Sequence, residues 1–270
     1  IHPDQVAAAL KADTVLVSIM HVNNEIGVIQ DIAAIGAICA KHGGARLHVD
    51  AAQSVGKSAV DFAGLGADLM SLSAHKAYGP KGVGALLVSR RRSASGSGAG
   101  SGQRERVQLT ALQFGGGQEH GLRAGTVATH QVVGMGLAFE LARAAPSSEA
   151  EHIARLRERL WRGLAALGGT FRNGDAERSV PHVLNVSFEG VEGESLIAAV
   201  RGRLAVSTGS ACSSALPEPS YVLRALGRDD ILSESSLRFG LGRDTCERDI
   251  DTAVAVVTEA VSALRRLAGT

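Results

Sequence analysis

Apolar and polar positions along the first half of the chain follow two periods in turn. Residues 14–20 alternate and are rich in β-branched side chains, which predicts a strand ending in the polar run His21-Val22-Asn23-Asn24-Glu25. Residues 31–42 put Ile32, Ile35 and Ile38 at helical spacing, with Asp31 able to cap the start and Gly43-Gly44 to end it. A short buried strand is expected at Leu47-His48-Val49-Asp50, with Gln53 just past its end. Residues 65–73 lead as a strand into Ser73-Ala74-His75-Lys76, and residues 82–89 form another apolar strand. A short helix is expected at 3–11, with Pro3 in its first turn. Strands alternating with helices predict an α/β fold with a mostly parallel sheet.

The second half reads differently. Residues 127–145 and 147–167 are two long helices separated by Pro146, and Ile153, Leu156, Leu160 and Trp161 make the second amphipathic. Then follow a turn at Asn173-Gly174-Asp175, a strand at 182–188, a helix at 194–200, a short strand from Leu204, a strand at 235–242 and a closing amphipathic helix at 249–267. The expected domains are 1–145, a large parallel-sheet domain, and 146–270, a smaller α+β domain. Residues 90–108 break the pattern: Arg90-Arg91-Arg92 and a Ser/Gly tract form a low-complexity insertion, read as a flexible solvated loop.

Composition narrows the function. With 45% hydrophobic and 20% charged residues over 270, the chain has an ordinary globular balance. A net charge of +1 argues against a nucleic-acid surface. No apolar run approaches the length of a membrane span. Three cysteines (Cys39, Cys212 and Cys246) at unrelated spacings suit neither a disulfide framework nor a zinc site, so a reducing compartment is expected, with no metal in the protein core.

Candidate chemistry gathers at strand ends, where open α/β sheets bind ligands. Lys76 follows an apolar strand; desolvation by apolar walls favours a neutral amine, which can condense with an aldehyde. A solvated turn lysine is the competing reading. Asp50, at the end of another strand, is the carboxylate that a pyridinium nitrogen would need. Asn23-Asn24 is open between ligand binding and turn chemistry. The Gly-rich loop 114–126 ends in Thr126 near a helix start, an arrangement that favours anions, or is simply a flexible loop with a Thr cap. Cys212 sits in a loop of small residues, Ser207-Thr208-Gly209-Ser210-Ala211-Cys212, where a thiol stays accessible. Arg238 is a lone charge in the strand Leu237-Arg238-Phe239, and a planar guanidinium binds a carboxylate as a fork; an edge-strand arginine is the alternative.

Taken together, the Ser-x-His-Lys turn, the strand ending in Asp50 and Gln53, the Arg-x-Gly-Thr segment and the cysteine loop resemble the cysteine desulfurases of the class V aminotransferase superfamily, in the group used for iron–sulfur cluster assembly. The resemblance runs from about Asp13 to Leu264. It implies the aspartate aminotransferase-like fold of pyridoxal 5'-phosphate enzymes. It further implies that Lys76 carries the cofactor aldehyde, Asp50 the ring nitrogen, and Asn24 with Gln53 the phenolic oxygen. Ser73 and His75 would lie on the phosphate and beside the ring, and Thr126 on the phosphate of a neighbouring subunit in a homodimer with shared sites. Arg238, with Asn24, would hold the substrate carboxylate, and Cys212 would take sulfur from L-cysteine as a persulfide. Catalytic roles thus fall on Lys76, Cys212 and His75. The implied partners are an iron–sulfur scaffold protein or another sulfur acceptor, whose cluster Cys212 would contact, with small accessory subunits in a mitochondrial setting. The implied compartment is the mitochondrial matrix or the bacterial cytoplasm. A family segment carrying the first strands, a phosphate turn and a ring-stacking His is expected outside these residues, as is a scaffold-docking tail. Competing readings are a non-catalytic relative acting within such an assembly, and a selenocysteine lyase or other class V enzyme.

Overall fold

A computed structural model describes residues 1–42, 44–90, 107–145, 147–208 and 219–269. The chain divides into two compact units. One comprises Ile1–Val22 with Gln30–Ala145, the other Asn23–Ile29 with Pro146–Thr270.

In the first unit, strands β1 (Leu16–Met20), β2 (Arg46–Asp50) and β3 (Leu69–Ser73) run parallel and β4 (Gly84–Val88) is antiparallel to β3, in the order β1-β2-β3-β4. The expected sheet is therefore present, with one reversed strand at its edge. Because strand side chains alternate, Val17, Ile19, Leu47, Val49, Met70 and Leu72 share one apolar face. Val6 of helix α1 (Pro3–Ala9) and Ile32, Ile35 and Cys39 of α2 (Ile32–His42) cover it. On the opposite face His48 bridges Ser18 and Ser71 across all three parallel strands, at 2.8 and 3.2 Å. Asp31 caps α2 as expected, its Oδ1 accepting from the Ala34 N–H at 3.0 Å. Gly36 lets α2 lie against the backbone at Leu65, whose carbonyl oxygen would stand 2.8 Å from an added Cβ. Helix α3 (Thr129–Ala144) ends the unit.

The second unit is built on an antiparallel sheet of order β5-β6-β8-β7: β5 (Thr170–Asn173), β6 (Val183–Phe188), β8 (Ser236–Gly240) and β7 (Ser207–Thr208). Helix α4 (Ser147–Ala165) buries Ile153, Leu156, Leu160 and Leu164 at spacings of three and four. Helix α8 (Glu247–Ala268) buries Ile250, Val256, Val257 and Val261, and α5 (Gly193–Val200) buries Leu196 and Val200. With Phe188, Leu237 and Phe239 these make one core. Gly163 brings α4 close to α8, since a Cβ there would meet the Val254 side chain at 2.5 Å. Two short helices, α6 (Tyr221–Ala225) and α7 (Asp230–Glu234), begin at the caps Ser220 and Asp229. Residues Asn23–Ile29 join this unit by backbone pairing: the Val180 N–H donates to the Gly27 carbonyl at 2.9 Å, and the Ile29 N–H to the Arg178 carbonyl at 2.8 Å.

Arg265, in the last turn of α8, gathers the loop after α4. It donates to the carbonyls of Leu167, Gly168 and Gly169 at 3.0–3.1 Å and to that of Glu189 at 2.9 Å. Arg265→Ala strips donors from four acceptors and should lower unfolding stability by about 2 kcal/mol in chemical denaturation. Arg265→Lys should recover only part of that, because an ammonium lacks the planar fork.

Candidate functional site

In the first unit the candidate residues collect at the carboxyl ends of the parallel strands. Asp50 closes β2 and pairs in register with Met20 of β1 and Ser71 of β3. Its Oδ1 accepts from the Ala52 N–H at 2.9 Å, while Oδ2 has no hydrogen bond among the described residues. Gln53 follows, its Oε1 accepting from Lys57 Nζ at 2.8 Å. On the next strand, β3 ends at Ser73, and a single 3-10 turn, Ala74–Lys76, carries the lysine. Backbone bonds hold this turn: the Ala74 N–H donates to Val83, and the Ala77 and Gly79 N–H groups to Ala74. Gly79 is required there, because a Cβ would sit 2.9 Å from the Ala74 carbonyl oxygen. Lys76 is half-buried and its Nζ has no partner among the described residues; His75 is exposed and shares a 2.9 Å bond with Ser73 Oγ. The strands thus put a carboxylate with a spare oxygen and an unengaged amine on adjacent strand ends. That pairing fits pyridoxal 5'-phosphate, whose ring nitrogen needs an acid partner and whose aldehyde needs a lysine.

Thr126 is exposed, and α3 starts later than the periodicity predicts, at Thr129 with Ala128 as its cap. The Thr126 hydroxyl therefore does not cap that helix, and the reading of it as a Thr cap is set aside.

In the second unit Arg238 lies on β8, between β6 and β7, so it is not an edge-strand arginine. Its Nε donates to Ser207 Oγ at 3.0 Å and its Nη1 to the Asn24 carbonyl at 2.8 Å, leaving Nη2 without a partner among the described residues. Asn24 thus meets Arg238 through its backbone oxygen. Cys212 lies outside the described residues, as does most of the low-complexity insertion.

Two residues here, named in the sequence only as part of the polar run after β1, carry more than that reading gave them. Glu25 is 5% exposed, and its Oε2 accepts from Ser220 Oγ at 2.5 Å. Burial pushes its carboxyl above the usual range, against the Ser220 hydrogen bond and the Arg238 charge, which pull it down. Its sequence signal was a carboxylate between Asn24 and the apolar Ile26, masked by turn-forming neighbours. His21, just past the end of β1, is also buried, which holds its imidazole below the usual range.

The family model for aminotransferase class V matches residues 1–253. The cysteine desulfurase IscS of Methylococcus capsulatus is 56% identical over 264 residues, 98% of this chain and 62% of its own length. That of Aeromonas salmonicida is 54% identical with the same coverage. Among solved structures, a NifS-like protein aligns with a TM-score of 0.84 at 33% identity, over 97% of this chain and 65% of its own. DndA from Streptomyces lividans aligns with a TM-score of 0.69 at 38% identity, over 90% of this chain and 64% of its own. The chain spans 62% of the length of these curated relatives.

A raised carboxyl adds stability below its ordinary range and withdraws it as pH rises through the raised value. Glu25→Gln should therefore stabilise the protein against denaturant at pH above the raised value, and the gain should disappear below the ordinary carboxylate range. A gain that does not change with pH would contradict this ionisation cost.

Proposed function

The chain belongs to the aminotransferase class-V family, and from that premise we propose that it acts in a pyridoxal 5'-phosphate-dependent cysteine desulfurase. L-cysteine becomes L-alanine, and its sulfur is carried as a persulfide on Cys212 to an acceptor for iron–sulfur cluster assembly or tRNA thiolation. The observation that carries the reading is the pair of adjacent strand ends bearing Asp50 and Lys76. The names and identities of the bacterial relatives support the choice of desulfurase within the family.

The residues divide the work. Asp50 would hold the ring nitrogen through its spare Oδ2, Gln53 and Asn24 the phenolic oxygen, and Ser73, His75 and Thr126 the phosphate and ring surroundings. The cofactor, when bound, supplies an electron sink for the substrate α-carbon. Lys76, whose amine is unengaged, carries the α-proton. Arg238 receives the substrate α-carboxylate from its Nη2 side. The Cys212 thiolate attacks the substrate sulfur: an S–S bond forms, the C–S bond breaks, and the carbon left behind takes a proton to become the alanine methyl group. Only the thiolate is a competent nucleophile for this step.

A homodimer with Thr126 serving the neighbour's site is supported by an exposed apolar stripe on α3, Val133, Leu137 and Leu141, and by exposed Leu112 and Phe114 in the same unit. Bacterial relatives favour the bacterial cytoplasm over the mitochondrial matrix. A scaffold protein or thiolation enzyme remains the expected acceptor.

Added pyridoxal phosphate should give the full-length protein a visible absorbance band that shifts on L-cysteine, and Lys76→Ala should abolish the band. Cys212→Ala should keep the band yet lose sulfur release by roughly four orders of magnitude, the scale of losing a catalytic nucleophile. Retained sulfur release in Cys212→Ala would sink the assignment.

A further inference from the structure

Four residues, one from each strand of the second sheet, stand in a single register row: Asn173 pairs with Asn185, Asn185 with Arg238, and Arg238 with Ser207. All four are polar, and they share the face of the sheet opposite the one that Leu184, Val186, Leu237 and Phe239 turn to the core. Asn173 Nδ2 donates to Asn185 Oδ1 at 2.8 Å and Arg238 Nε to Ser207 Oγ at 3.0 Å. The two middle members of the row also grip one turn. Asn185 Nδ2 donates to the Glu25 carbonyl at 3.2 Å, and Arg238 Nη1 to the Asn24 carbonyl at 2.8 Å.

That turn is fixed from within and from a third side. Asn23 Oδ1 accepts from the Glu25 and Ile26 N–H groups at 2.9 and 3.0 Å. The Glu25 carboxyl accepts from Ser220, which is 4% exposed and whose Oγ in turn accepts from the Leu223 N–H at 3.2 Å at the start of α6. The carbonyl that orients Arg238 therefore belongs to the residue next to a buried carboxyl whose hydrogen bond lies with a separate helix. Burying a carboxyl is costly unless it is hydrogen-bonded, and here Ser220 supplies that bond.

We infer that Glu25 is a positioning residue for Arg238: by anchoring residues 23–27 on Ser220, it fixes the Asn24 carbonyl that sets the direction of the guanidinium fork. The inference deepens the proposed function, because Arg238 is the group assigned there to the substrate carboxylate. Orientation matters because a planar fork binds a carboxylate only when both are aligned. Loss of the anchor should weaken ground-state and transition-state binding alike. That predicts a rise in KM with kcat little changed.

The experiment uses the full-length holoenzyme with Glu25→Ala, Glu25→Gln, Ser220→Ala and Arg238→Ala, and the double variant of Glu25→Ala with Arg238→Ala. KM for L-cysteine should rise roughly tenfold in Glu25→Ala and somewhat less in Ser220→Ala, the scale of one lost charged hydrogen bond. Glu25→Gln keeps an acceptor for Ser220 and should return KM to within about threefold of wild type. In the Arg238→Ala background, Glu25→Ala should add nothing. The dissociation constant of L-alanine, which bears the same carboxylate and no sulfur, should follow the same order. A wild-type protein that releases no sulfur from L-cysteine, yet binds L-alanine with this order among the variants, would defeat the desulfurase reading and leave the positioning role standing. An unchanged KM and unchanged L-alanine binding in Glu25→Ala would overturn the positioning role. So would a fall in kcat alone with a lowered melting temperature, or a full additive loss on top of Arg238→Ala.

Discussion

A guanidinium on an interior strand has to be given acceptors, and much of the second unit follows from that requirement. Arg238 has β6 on one side and β7 on the other and is partly withdrawn from water, so its N–H groups call for acceptors within the protein. An unpaired buried charge is far more costly than a hydrogen-bonded one. The structure meets this with Ser207 in the same register row and with a backbone carbonyl from Asn24. Because that carbonyl comes from residues 23–29, the segment is drawn out of the first unit's sequence range and into the second unit. The neighbouring polar residues then have reasons of their own. Asn185 satisfies the next carbonyl of the turn, Asn173 satisfies Asn185, and Arg228 donates to Asn173 Oδ1 at 2.9 Å. Such a network is favourable only when each member is satisfied, which ties its residues to one another more strongly than pairwise contacts would suggest.

The first unit solves a different problem. Parallel strands end on the same side, so whatever each strand carries at its carboxyl end arrives together. Apolar alternation fixes which face of β1, β2 and β3 is buried against α1 and α2, and a slip of one residue would turn every side chain to the other face. Asp50 and Lys76 hold their places through that register, although neither belongs to the apolar core. The lysine also depends on the tight turn after β3, where Gly79 and the reversed strand β4 close the backbone around Ala74.

How far the sequence was legible follows from these physics. Long amphipathic helices such as α4 and α8 repeat their pattern over many turns, so their faces could be read directly. The strands β2, β3, β6 and β8 were legible because alternation and turn residues bound them. Short elements were not. Strand β5 reads as part of a turn because Asn173-Gly174-Asp175 follows it, and α6 and α7 span only five residues each, held by the caps Ser220 and Asp229 and by packing. Helix α3 begins two residues after the apolar run suggests, since Val127 and Ala128 are helix-compatible but remain outside it. Arg238 stood out as a lone charge in a strand, and Asp50 and Lys76 as charges placed where apolar strands end. Glu25 did not stand out, because Asn-Asn-Glu reads as ordinary turn chemistry until Ser220, far along the chain, is seen to bond it.

The same contrast separates two kinds of residue in the proposed site. Groups proposed to meet a ligand carry their signal locally, in a charge or a thiol out of keeping with its neighbours. Groups that aim them carry it in pairings distant in sequence: Glu25 with Ser220, Asn24 with Arg238, Asn173 with Asn185. A motif therefore reports where the chemistry is and says little about what keeps it aligned. The backbone carbonyl of Asn24 makes the point most sharply. It is a contact that no side-chain pattern encodes, yet its direction is set by the residues on either side, Asn23 closing the turn and Glu25 tethering it. Substitutions in such a turn would leave every recognisable motif intact while changing how the arginine is presented.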